Sequence, residues 1–209
     1  MVRMLTAWTS LFVLLIGCTN LAGAQELSGK ALVTALKGGG YVLLMHHASS
    51  PHQPPAETDA APGNTDLERQ LDATGIHSAQ TMGLAIRTLG IPIGEVLSSP
   101  TFRARQTIAS AGLGMPEIRL QLGDGGKSMS PEAVGAWAYW LREAVAQPPR
   151  AGTNTVMVTH SPNIASAFPD AAKGLTDGEA LVFHPDGKGG AELVAHIRIE
   201  DWPGLATSR

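Results

Sequence analysis

One cysteine, Cys18, is present in 209 residues. A disulfide framework is therefore excluded. Beyond Ala24 there is no cysteine at all, so a thiol nucleophile and a thiolate metal site are excluded there as well. Charged residues make up only 16% of the chain against 44% hydrophobic, which excludes the composition of a disordered segment and allows a substantial core. The formal net charge is −3, and no block of lysine and arginine stands out. Nucleic-acid binding leaves a basic stripe, so that class is not expected. A phosphate-ester pocket stays open, because one pocket needs only a few local cations. No apolar run approaches the ~20 residues that span a bilayer as a helix.

A short apolar run, Leu11 to Ile16, follows a thin positive start at Arg3 and precedes Ala22-Gly23-Ala24. This is the pattern of an export signal over residues 1–24, with small-residue cleavage before Gln25. Its removal lowers the net charge from −3 to −4, since Arg3 is the segment's only charge. Leu15-Ile16-Gly17-Cys18 resembles a bacterial lipobox and leaves a second outcome open, a lipoprotein anchored through Cys18. The expected location is periplasmic or secreted, or membrane-attached if Cys18 carries lipid.

From residue 27 to residue 209 the pattern predicts one α/β domain, with no internal repeat and no long linker. Ser28 stands as a cap for a short helix through Leu32, Val33 and Leu36, stopped by three glycines. Tyr41 to Met45 is a continuous apolar run bounded by glycine, as a buried central strand requires. Glu95 to Ser98, Ile118 to Leu122 and Thr155 to Thr159 read as further strands. Helical periodicity runs from Gly75 to Leu89, from Thr101 to Ala111, and from Pro131 behind the capping Ser130. On that last helix Val134, Trp137, Ala138, Leu141 and Val145 share a face, and Trp137 and Trp140 read as core and helix surface. Residues 180–183 and 192–197 flank Pro185 to Gly190 and predict a closing hairpin. Residues 51–66, with four prolines, form a loop long enough to cover a site. Alternating strands and helices imply a three-layer α/β/α sandwich around a mainly parallel sheet. Ligands bind such sheets outside the strand carboxyl ends, where His47, Ser99 and His160 fall.

Histidine can attack phosphorus through one ring nitrogen while the other is held by a carbonyl. The resulting phosphohistidine splits one hard step into two. The phosphate oxygens want cations, and arginine's fork suits them. Three segments carry a resemblance at this point. Tyr41 to Ala48 resembles the strand and "RHG/RHA" opening of the histidine phosphatase superfamily. Ser99-Pro100-Thr101-Phe102-Arg103-Ala104-Arg105-Gln106-Thr107 is similar to its second motif, S-P-x-x-R-A-x-Q-T, without gaps. Val158 to Asn163 looks like its third motif. Gly178-Glu179-Ala180 and the hairpin resemble secreted bacterial members of the phosphoglycerate mutase-like branch. The likeness spans roughly residues 38–200.

The resemblance implies an exported phosphomonoesterase with His47 as nucleophile, Arg103 and His46 on the phosphate, and His160 as the second pocket histidine. The first motif's arginine is missing, because His46 occupies its place. Histidine is shorter and is not a fork. That departure keeps a second reading open, a phospho-ligand-binding module of the same fold with impaired turnover. Arg105 is no substitute, since helical spacing turns it about 200° from Arg103. For the general acid the resemblance points to the segment after the third strand, where Asp124 sits between glycines. Glu132, Glu57 and Asp59 are the alternatives. No cofactor is implied. A metal site from His46, His47, His52 and His160 is disfavoured, because neighbours on an extended strand point to opposite faces. His77, His184 and His196 read as structural. The expected partner is a small phosphorylated substrate, whose identity the sequence does not give.

Overall fold

The computed structural model describes residues 26–125 and 129–207. The expected signal segment and Cys18 lie outside the described residues.

Six strands form one mixed sheet: β1 (Val42–His46), β2 (Ile93–Ser98), β3 (Glu117–Ile118), β4 (Asn154–Thr159), β5 (Ala180–Pro185) and β6 (Ala191–Ile197). Their order across the sheet is β3-β2-β4-β1-β5-β6. The first four are parallel, and β5 and β6 run antiparallel as the closing hairpin. Asp186 holds the hairpin turn by accepting the Lys188 and Gly190 amides.

The helices are α1 (Gly29–Gly38), α2 (Ala73–Leu89), α3 (Phe102–Ala111), α4 (Pro131–Val145), α5 (Ser161–Ala167) and α6 (Trp202–Thr207). Strand alternation sorts the core into two layers. Leu43 and Met45 of β1 pack with Leu36, Met82, Ile108 and Trp202 from α1, α2, α3 and α6. Val42 and Leu44 pack on the other side with Leu141, Val145 and Ile164 from α4 and α5. Every residue of β1 and β4 is buried, as strands covered on both faces must be.

Three local expectations are corrected. Ser28 sits at the α1 N-cap but makes no side-chain capping bond. Strand β3 ends at Ile118, and Leu120–Leu122 winds into a 3-10 turn. The Asn163 side-chain amide draws that turn in by donating to the Gln121 and Gly123 carbonyls. On α4, Val134 is 38% exposed and Trp137 is half-buried, so the buried stripe reduces to Ala138, Leu141 and Val145. Ser130 does cap α4, accepting the Ala133 amide.

The register places the site. His46 aligns with Thr159, and Ser98 with Val158, so the carboxyl ends of β1, β2 and β4 finish level. The loop entering β5 returns to the same edge. There the His46 amide donates to Glu179 O and the Gly178 amide to His47 O. Gly178 takes φ +73 and packs against Ile199, a combination closed to other residues.

Candidate active site

A cavity of about 540 Å³ opens at that edge. Its walls include His46, His47, Arg103, Asp124 and His160, the five side chains singled out above, and also Arg69 and Asp177. Ser50 and His52 bring the proline-rich loop to its rim. Glu57 and Asp59 form a short 3-10 turn elsewhere in that loop, and Glu132 lies fully exposed on α4's first turn; none of the three lines the cavity.

Arginine only donates, which fixes the proton positions around it. Arg103 Nε donates to His47 Nε2 at 3.1 Å, and Arg103 Nη2 donates to His160 Nδ1 at 3.2 Å. Both acceptor nitrogens therefore carry lone pairs. His47 Nδ1–H accordingly donates to Ala48 O at 2.8 Å. His160 Nε2–H donates to Ser99 Oγ at 2.8 Å. Burial chiefly, reinforced by the neighbouring positive groups, pushes His47 down to about 3 and His160 to about 2. Both imidazoles are neutral at pH 7, and the unprotonated Nε2 of His47 accepts from Arg103 at the cavity wall.

The middle motif is legible atom by atom. Ser99 orients His160. Arg103 is 6% exposed and reaches both histidines. Gln106 Oε1 accepts the Leu71 amide at 2.7 Å and anchors the end of the proline-rich loop. Thr107 Oγ1 accepts the Ala48 amide at 3.1 Å and donates to Arg103 O at 2.9 Å, tying the loop after His47 to the arginine's helix. Arg105 faces away and pairs with Glu68 at 3.7 Å, as its helical angle requires.

Arg103 also meets Asp124 at 2.8 Å. The carboxylate thereby occupies one edge of the guanidinium.

His46 lines the cavity beside His47, their ring centroids 4.3 Å apart. The expectation that adjacent histidines face apart is overturned, since both rings line the cavity where β1 ends at His46. Among the described residues, no group of three or more potential ligands is placed to hold a metal ion. His46 Nδ1 lies 3.5 Å from Asp177 Oδ1 and makes no hydrogen bond among the described residues. Burial lowers its pKa, partly opposed by Asp177.

Two cavity residues were not singled out from sequence. Asp177 sits in the loop before β5. That loop is pinned by Glu179, whose carboxylate accepts the Thr176 amide and hydroxyl and pairs with His196 at 3.0 Å. Arg69 ends the proline-rich loop. Its Nε donates to Pro51 O at 2.6 Å and its Nη2 to Ser50 O at 3.2 Å. Burial and the nearby Arg103 lower its pKa, only partly opposed by Asp124 and Asp177. Two guanidinium groups on one cavity are mutually repulsive until an anion joins them. A signal for Arg69 did exist: it is the only lysine or arginine between His47 and Arg87.

No family model matches the chain, and a comparison with curated proteins finds no match. Solved structures do match. The protein histidine phosphatase SixA bound to tungstate superposes with a TM-score of 0.54 at 18% identity, over 77% of this chain and 98% of that one. A phosphoserine phosphatase from Entamoeba histolytica, bound to 3-phosphoglyceric acid, gives 0.53 at 15% identity, over 75% and 95%. A mutant of an Entamoeba histolytica phosphoserine phosphatase bound to phosphoserine gives 0.52 at 13%, over 77% and 98%. The mixed six-stranded sheet, its flanking helices and these neighbours establish that the chain has the fold of the histidine phosphatase superfamily.

Proposed function

We propose that the protein is an exported phosphomonoesterase that works through a phosphohistidine on His47. One observation carries this: the His47 ring is held by Ala48 O through Nδ1, so that Nε2 keeps its lone pair in a cavity walled by two arginines. Neighbours of the same fold in complex with tungstate and phosphoserine support an oxyanion or phosphorylated ligand for this chain.

The chemistry follows from the positions. A phosphate dianion entering the cavity displaces the Asp124 carboxylate from Arg103 and takes bidentate bonds from that guanidinium. Arg69, from the opposite loop, supplies the second cation and stands in for the arginine that His46 replaces. Charge stabilisation of the equatorial oxygens is the main catalytic contribution. Once the phosphate has drawn the Arg103 Nε–H away from His47 Nε2, that nitrogen's freed lone pair forms the N–P bond as the ester P–O bond breaks. Asp124, released from Arg103, protonates the leaving alkoxide when it carries a proton. It then takes a proton from the water that cleaves the N–P bond and returns His47 to its starting state. His160, oriented by Ser99, donates no proton from Nδ1 while neutral, and its role is to shape and pack Arg103.

Rapid acid quench with a labelled aryl phosphate tests the mechanism. An acid-labile, base-stable protein phosphate that disappears in His47→Ala is the expected result. Turnover without that species rules out the covalent route. Activity that appears only after His46→Arg favours the impaired binding module instead. Export is tested by the mature N-terminus: Gln25 if cleavage follows Ala24, diacylated Cys18 if the lipobox is used.

A further inference from the structure

Next to the phosphate cavity lies a smaller cleft of about 120 Å³, and the two share Asp124 and Pro162. Its other walls include Met129, Val134, Trp137 and Ala138. The sequence pattern puts Trp137 in the core; here it is half-buried, packed beside Gly123, and lines the cleft. Two polar residues also border the cleft, and their donors are engaged elsewhere. The Asn163 amide donates to Gln121 O, Gly123 O and Thr159 Oγ1, and the Ser166 hydroxyl donates to Pro162 O.

We infer that this cleft receives the leaving group, and that it selects esters whose leaving alcohol carries a single aromatic ring over esters of polyols. The inference rests on the phosphatase reading of the main cavity and names its substrate class. In-line displacement puts the leaving oxygen on the side of phosphorus away from His47. The residue that protonates that oxygen must lie within hydrogen-bond reach of it. Asp124 is a wall of both cavities, so a substituent on that oxygen emerges into the smaller one. An apolar cavity of about 150 Å³ encloses benzene; the cleft, at about 120 Å³, is smaller, so it takes at most one ring, with part of that ring left at its open mouth. Sugar hydroxyls would lose water there and find no free side-chain donor among the described residues, which disfavours them. Trp137 offers a ring face and Met129 a thioether, both suited to aromatic contact.

The experiment compares benzyl phosphate with glycerol 1-phosphate, whose leaving alcohols are of similar acidity, in wild type, Trp137→Ala and Trp137→Phe. Apolar contacts of this size discriminate by about 10–200-fold. The kcat/KM ratio in wild type is expected to favour the benzyl ester by at least about tenfold. It falls toward one in Trp137→Ala, through KM for the benzyl ester, and is largely kept in Trp137→Phe. Equal turnover of the two esters in wild type overturns the cleft assignment and leaves the phosphatase intact. So does a Trp137→Ala variant that slows both esters alike, since that reports a structural role. Failure of wild type to hydrolyse either ester, with no phosphohistidine trapped, overturns the phosphatase reading and this inference with it.

Discussion

Arg69 comes to the cavity from the end of a loop without hydrophobic period, where sequence pattern carries no direction. The loop is instead organised by polar bonds. The Asn64 side chain closes on Glu68 through both its amide and carbonyl, and the Gln70 side chain bonds to Asp59 O and Ala61 N. By contrast, His47, Arg103 and His160 were legible because each follows a recognisable strand end or sits one helical step inside a motif. Arg69→Ala is expected to weaken tungstate binding about tenfold to a hundredfold, the worth of a hydrogen bond to a charged group at about 1.5–3 kcal/mol. Arg69→Lys should recover part of the loss, because charge survives while the fork does not. Calorimetric titration decides; an unchanged Kd in Arg69→Ala removes Arg69 from the phosphate site. Asp124→Asn separates two roles of one carboxylate. Freed of its competitor, Arg103 should bind tungstate more tightly. Hydrolysis of an alkyl phosphate, which needs leaving-group protonation, should fall by about 10²–10⁴, and that of 4-nitrophenyl phosphate should fall much less. Equal losses on both esters would exclude Asp124 as the acid.

At the scale of elements, the periodic segments were readable and the short ones were not. Helices α2, α3 and α4 and strands β1 and β4 follow from spacing and from apolar runs. Strand β3 was overextended because Ile118, Leu120 and Leu122 alternate as a strand would, while Leu122 is in fact buried at the foot of a 3-10 turn under α4. The short α6 was not marked by any period, yet its Trp202 is among the largest fully buried side chains. Elements also fix the loop after His47. Asp72 caps α2 by accepting the Gly75 amide at 2.7 Å and accepts the Ser49 hydroxyl at 2.8 Å. Gly75 lies so close to Ser49 O that a Cβ there would overlap it. Gly75→Ala therefore cannot gain the usual helix stabilisation. It should destabilise the fold by about 1–3 kcal/mol, the range for overpacking. Because Ser49 is two residues from His47, it should also reduce kcat more than a surface Gly→Ala change does. Urea unfolding and steady-state kinetics on the same preparation check both; a stabilised, fully active Gly75→Ala would contradict the contact.

For the whole molecule, the active site carries a cost in acid. His47 and His160 are buried and neutral, with folded pKa values lowered from 6.5 to about 3 and about 2. His46 is lowered in the same direction. Below pH 6.5 the unfolded chain takes up protons at these positions and the folded chain does not. Stability rises with pH wherever the unfolded state binds more protons. The contribution of these histidines is thus complete above about pH 6.5, the ordinary histidine value, and is lost progressively as pH falls toward the folded values. Carboxylates with lowered pKa, Glu179 through its His196 and Thr176 bonds and Asp186 through the hairpin amides, add their own loss, but only once the pH drops through the ordinary carboxylate range. Between about pH 6.5 and 5 the histidines therefore dominate the slope. The urea midpoint of the wild type is expected to fall across that interval, and to fall less steeply in His160→Asn, which removes one of the proton sites. If both proteins show the same slope, His160 is protonated in the folded state, and the tautomers assigned around Arg103 would have to be redrawn with a cationic second histidine.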